Sequence, residues 1–343
     1  MIRSPRAYRL LLLVLALALA LSCAASLGFG AAPVPLPSVL EILGQRLFDL
    51  QPAQAVSSAQ DSIVWLIRAP RVVLGALVGA GLALVGTALQ AVTRNPLADP
   101  HLLGVSSGAA LGAVIVVLYL GEFIGLLSLP LAAFVGALAS MLLVLAIASR
   151  GGRLESDRLL LAGVAVSFVM MAASNLLLFL GDHHAASSVI FWMLGGLGLA
   201  RWELLWLPAL CLVLALLLLL GLARALNALM AGEHSAVSLG LEPRRVRLLV
   251  FVCASLLTGV LVSLSGAIGF VGLILPHVAR VLVGAEHRRL LPVSALLGAL
   301  FLVWVDVAAR TLLAPQDLPI GIATAAIGGV FFVILLRGHI NRG

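Results

Sequence analysis

Uninterrupted apolar runs constrain this chain more than any motif does. The stretch LLWLPALCLVLALLLLLGLA, residues 204 to 223, carries no charged side chain. At 1.5 Å of rise per residue, roughly 20 apolar residues cross about 30 Å of hydrocarbon as a helix. By that ruler, spans are predicted near 8–29, 64–90, 101–120, 127–149, 158–180, 203–222, 246–267, 270–284, 291–311 and 318–337. The expected fold is therefore all-α: a single polytopic membrane domain over residues 1–343 with about ten transmembrane helices. The eighth span is the shortest, and a tight polar turn joins the second to the third.

Composition agrees. With 62% hydrophobic and 10% charged residues and a mean hydropathy of +1.20, a water-soluble fold would have to expose large apolar patches. The 21 basic residues are all arginine, and they lie between the apolar runs, as loops obeying the positive-inside rule require. With the N-terminus inside, only Arg46, Arg68, Arg71, Arg201 and Arg310 fall outside and the other sixteen fall inside. The asymmetry predicts an even number of spans and two cytoplasmic termini. Residues 30–62, rich in Pro, Gln and Ser, become an irregular or short-helical periplasmic connection, and 225–247 a cytoplasmic segment. No basic and aromatic nucleic-acid platform is present. Cys23, Cys211 and Cys253 lie within apolar runs, odd in number and without metal-ligand spacing, so they predict neither disulfides nor a zinc site.

Several spans carry small residues at intervals of four, which let helices approach closely in lipid. Gly75 and Gly79 form one such pair, Gly104, Gly108 and Gly112 a tandem, Ala132, Gly136 and Ser140 a third, and Ala325 and Gly329 a fourth. In the fifth span Ser167, Met171, Ser174 and Asn175 recur at helical spacing. That polar and soft face avoids lipid, either by bonding to another helix or by lining a path for a large amphiphilic cargo. Asp306 and Arg310, four apart in the ninth span, can pair and lower the cost of each charge. His183 and His184 read as loop residues, since adjacent histidines on a helix diverge by about 100° and chelate poorly.

No GxxxxGK[ST], HExxH, CxxC or EF-hand loop occurs, so neither a nucleotide nor a metal has a recognisable site, and no cofactor is expected in this chain. The GxSxG match at 104–108 lacks the preceding strand that a nucleophile elbow needs. An ion-coupled transporter would need an exchangeable acid deep in the bundle. Asp306, the one deep acid, is already paired. The chain reads as a pathway whose engine is elsewhere, and the polar insert AGEHSAVSLGLEP (231–243) between two apolar runs is where that engine would attach.

The stretch RAPRVVLGALVGAGLALVGTALQAVTRNPLADPHLLGVSSGAALGA (68–113) resembles the signature of the FecCD-type permease subunits of ABC importers for ferric siderophores, haem and vitamin B12. LLLAGVAVS (159–167), GEHSAVSLGL (232–241) and the long block from Gly266 to Leu336 agree with it in order. The resemblance implies a multi-pass inner-membrane permease that pairs with a second permease subunit. Two cytoplasmic ATP-binding subunits would bind ATP and Mg, and a periplasmic substrate-binding protein would deliver a chelate, foremost a ferric siderophore. It assigns ATPase coupling to the insert, where Ala236, Leu239 and Leu241 supply an apolar face, Gly232 and Gly240 end or bend short helices, and Glu233 offers charge. It assigns the cytoplasmic gate to Asn95 with Leu97 and to Ser156 with Asp157. A relative would carry a small hydroxyl where Asp157 stands. Arg68, Arg71 and Arg310 match arginines that hold acidic residues of the binding protein.

Overall fold

The computed structural model describes residues 4–50, 57–149 and 156–340. Helix α1 (Pro5–Ser26) starts where Ser4 accepts a hydrogen bond from the amide of Ala7 and Pro5 occupies the first turn, as at many helix N-termini. The described part of the connection 30–62 takes the short-helical of the two forms expected of it. It contains α2 (Leu36–Phe48), with Val39 and Ile42 buried, and the short α3 (Ser58–Asp61). A π-helical stretch, Ser62–Arg68, runs from α3 into α4 (Ala69–Thr93). The wider turns fall just before Pro70, which has no amide to donate to an α-helical ladder.

Beyond the turn at 94–99, a 3-10 turn (Pro100–Leu103) leads to α5 (Val105–Ile115), extended by π-helical Val116–Leu120. Then come α6 (Ser128–Ala148), α7 (Ser156–Leu180), α8 (His183–Met193) and α9 (Trp202–Gly221). The pair α10 (Ala223–Ala231) and α11 (Glu233–Ser238) precedes α12 (Pro243–Ser265), α13 (Val271–Val283), α14 (His287–Thr311) and α15 (Ile320–Ile340). Among the described residues there is no strand. Helix α8 corrects the loop expected at His183 and His184: its apolar sequence is too short for a span, so a length rule passes over it.

Among the described residues, seven helices are long and apolar enough to cross a membrane, and Val105–Leu120, Val271–Val283 and Ile320–Ile334 are shorter apolar helices. Helices α4, α12 and α14 are buried in the middle, whereas α1, α7 and α9 form the rim. The middle is held by backbone contact. A Cβ at Gly79 would strike the carbonyl of Gly298, at Gly86 that of Gly272, at Gly108 that of Gly136, and at Gly112 that of Ala132. The predicted stripes thus pack α4 on α14 and α5 on α6. In α15 the notch is Gly328, filled by the Phe270 ring, while Gly329 faces open space.

Polar contacts gather at the two ends. At one, Gln90 accepts from Arg280 (2.7 Å), and Asn227 of α10 accepts from the amide of His287 at the start of α14 (3.1 Å). Arg71, Asp306 and Arg310 lie at the other.

Candidate functional site

At the end predicted to face outward, Asp306 is fully enclosed between two arginines. Arg71 Nε donates to one carboxylate oxygen at 2.8 Å, and Arg310 Nε lies 3.0 Å from the other. The second contact is an ion pair rather than an aligned hydrogen bond. The i,i+4 pair read from sequence is present, joined by a partner 235 residues away. Arg310 also donates to the carbonyls of Ser26 (3.2 Å) and Phe29 (3.3 Å). Arg68 donates to the carbonyls of Leu27 (2.7 Å) and Ala32 (2.5 Å). Both therefore anchor the chain after α1. Arg71 reaches outward as well, its Nη1 lying 2.5 Å from a carboxylate oxygen of Asp317.

At the opposite end, Gly232 (φ 125°) separates α10 from α11, a conformation that glycine adopts without a Cβ clash. Gly240 (φ 73°) turns the chain out of α11, and the amide of Leu241 returns to the carbonyl of Ala236 at 3.1 Å. The apolar face differs from the expected set. Ala236 is fully buried and Leu241 half-buried against the core, so Leu239 (71% exposed) shares the free face with Val237 (58%). A helix of six residues shows too little periodicity for this side to be read from sequence. Glu233 stays half exposed and forms an ion pair with the buried Arg247 (3.2 Å), which ties α11 to α12.

The turn after α4 forms as Asn95–Pro96 demands. Arg94 takes the left-handed conformation that ends the helix, and Asn95 Oδ1 accepts from the amide of Leu97 at 2.9 Å. Leu97 is exposed. Asp99 caps the following 3-10 turn through the amide of His101 (2.9 Å). Burial raises the Asp99 carboxyl pKa, opposed by the charge of His101 and that hydrogen bond. Ser156 and Asp157 open α7, and their side chains lie outside the described residues, as do residues 150–155 altogether.

The FecCD transport family model matches residues 15–338. The cobalamin import system permease protein BtuC of Halobacterium salinarum is 44% identical over 275 residues, covering 80% of this chain and 73% of the relative. The hemin transport system permease protein HmuU of Yersinia pestis is 42% identical over 284 residues, covering 81% and 85%. A solved metal-chelate type ABC transporter in an inward-facing conformation superposes with a TM-score of 0.83 at 32% identity, covering 96% of this chain and 99% of that one.

The chain belongs to the FecCD transport family.

FecCD membership makes it a multi-pass membrane permease of the ABC transporter class. In this FecCD chain the polar stripe of α7 is divided. Ser174 is buried and Ser167 half-buried, each hydroxyl donating to the carbonyl four residues back (2.9 and 2.8 Å). Met171 and Asn175 are exposed. At about 100° per residue the four positions straddle the edge of the packed face. Their spacing alone cannot say which side of that edge each takes. Asp317 and Val237 escaped the sequence reading. Asp317 sits in a Pro- and Gln-containing loop and Val237 beside a buried alanine, so neither lies in an informative pattern. Among the described residues, no group of three acidic, histidine or cysteine side chains could hold a metal ion.

Proposed function

We propose that this chain is the permease subunit of an ATP-driven importer that moves a metal chelate from periplasm to cytoplasm across a bacterial inner membrane. The three shorter apolar helices complete ten crossings with both termini in the cytoplasm. Two permease subunits, identical or paralogous, enclose the pathway, with the exposed Met171 and Asn175 of α7 on its lining. Two ATP-binding subunits supply the hydrolysis, and a periplasmic binding protein supplies cargo.

The observation that carries this reading is the α10–α11 knuckle. Its exposed Val237 and Leu239 sit on a short helix fixed from behind by Ala236 and by the Glu233–Arg247 pair, in a chain without a nucleotide motif. Behind the knuckle, Asn227 connects α10 to the first residue of α14, a route by which a push on the connector reaches a central helix. Asn95 with Leu97, and Ser156 with Asp157, close the inner end of the pathway. Arg68 and Arg310 shape the docking face by holding residues 26–32, and Arg71 presents charge on it.

The cargo we favour is a ferric siderophore. The relatives' names carry haem and cobalamin as the alternatives within the same machinery. Ion-coupled transport is disfavoured because the carboxylate of Asp306 is held between Arg71 and Arg310.

Reconstitution tests the proposal. Uptake into vesicles must require ATP and the ATP-binding subunit, and the permease alone must hydrolyse none. Uptake driven by an ion gradient without that subunit overturns it. Binding of siderophore, haem and cobalamin by the cognate periplasmic protein separates the cargoes.

A further inference from the structure

The acceptors around the outward arginines differ in how readily they could be exchanged. Arg68 and Arg310 are bonded to backbone carbonyls of residues 26–32, which would have to unfold to let go. Asp306 is fully buried between Arg71 and Arg310, and withdrawing it would leave buried charge unpaired. Asp317 is different. Its side chain is 44% exposed, against 11% for the Arg71 it contacts, and it belongs to the exposed segment between α14 and α15. That segment leads directly into α15, whose first amides, Ile320 and Gly321, bond to the carbonyls of Gly195 and Leu194 (2.9 and 3.1 Å).

We propose that Asp317 is a built-in competitor for docking. Its carboxylate occupies Arg71 Nη1, the exchangeable donor of this cluster, until a carboxylate of the binding protein displaces it and loosens the 312–319 segment at the head of α15, which then keeps only its backbone ties, such as the Leu318 amide on the Ala309 carbonyl (3.0 Å). The inference rests on the docking role assigned to these arginines above. One carboxylate replaces another, so Arg71 stays compensated throughout and docking creates no buried unpaired charge. The competitor is tethered, so it weakens every incoming carboxylate by the same factor, whatever the partner's concentration. Displacement also reports docking to a membrane helix without any change in the central Asp306 contacts.

The test uses the full permease in lipid nanodiscs with its cognate periplasmic binding protein. Asp317→Asn is expected to tighten association about two- to fivefold at low salt, the range of one exposed ion pair. Glu122→Gln removes a charge from the exposed loop after α5, at the same predicted end, and should do less. A spin label at Gln316→Cys, with the three native cysteines replaced by alanine, should become more mobile in Asp317→Asn without partner, and in the Asp317 protein when the binding protein is added. Unchanged or weaker association for Asp317→Asn overturns the proposal, as does an equal gain for Glu122→Gln or a label whose mobility never changes. Arg71→Gln separates the two levels. If it leaves association unaltered, the docking role fails and the competitor with it. If it weakens association while Asp317→Asn does nothing, the competitor alone fails.

Discussion

Gly79 of α4 and Gly298 of α14 meet backbone to backbone, each so close that a Cβ on either would fall on the carbonyl oxygen of the other. The close packing of α4 on α14 runs through this contact. In lipid, helices gain little from hydrophobicity when they associate, so approach distance decides the van der Waals energy.

Gly79→Val forces the two central helices apart. Overpacking ordinarily costs about 1–3 kcal/mol, and here the obstacle is backbone that cannot change rotamer, so the upper end is expected. Gly329→Ala, inside α15 at a position facing open space, should not lower stability, since alanine favours a helix over glycine. Thermal unfolding of the two purified variants in detergent, followed by size-exclusion recovery, checks the contrast.

Asp306→Ala leaves Arg71 and Arg310 without their shared carboxylate. Removing one partner of a buried ion pair typically costs about 3–5 kcal/mol. The lower end is expected, because Arg71 retains Asp317 and Arg310 retains two carbonyls. Asp306→Asn, which keeps the shape, should recover part of the loss. A lower melting temperature for both, with alanine the more severe, is the predicted order.

Val237→Asp and Leu239→Asp place charges on side chains that already face solvent, so folding should survive. Association with the ATP-binding subunit should fall more than tenfold, the scale of an interface anchor worth about 2 kcal/mol. Ala236→Asp, at a fully buried site, should instead disrupt the segment. Co-purification with the ATP-binding subunit, compared with permease yield, distinguishes lost contact from lost fold.

Asn95→Ala removes the side-chain acceptor of the Leu97 amide. A hydrogen bond of this kind contributes about 0.5–1.5 kcal/mol, enough to loosen a turn without unfolding the bundle. Maleimide labelling of Leu97→Cys should quicken severalfold in the Asn95→Ala background. Equal rates would show that the turn is held without this side-chain bond, by Pro96 and by the Ala98 amide on the Asn95 carbonyl.

What could be read from the linear chain was what depends on near neighbours or on lipid. Segment length and apolar content marked the apolar helices. Intervals of four marked the glycine faces, and four-residue spacing marked Asp306 with Arg310. A polar insert between two apolar runs marked the α10–α11 region, and Asn95–Pro96 marked the turn after α4. Helix α8 was missed because eleven mixed residues satisfy no rule of length or charge.

The rest arises from contacts between distant stretches. Which carbonyls Arg68 grips, that Arg71 adds a third member to the Asp306 pair, and that Asp317 faces it from the loop before α15 follow from how α1, α4 and α14 pack. That Ala236 turns inward and Val237 outward depends on the seat α12 provides for α11. A side chain's direction in a short helix, or a charge's partner across the bundle, is decided by whichever surface lies against it. That surface exists only once the helices have assembled, whereas the free energy of placing an apolar run in hydrocarbon is carried by the run alone.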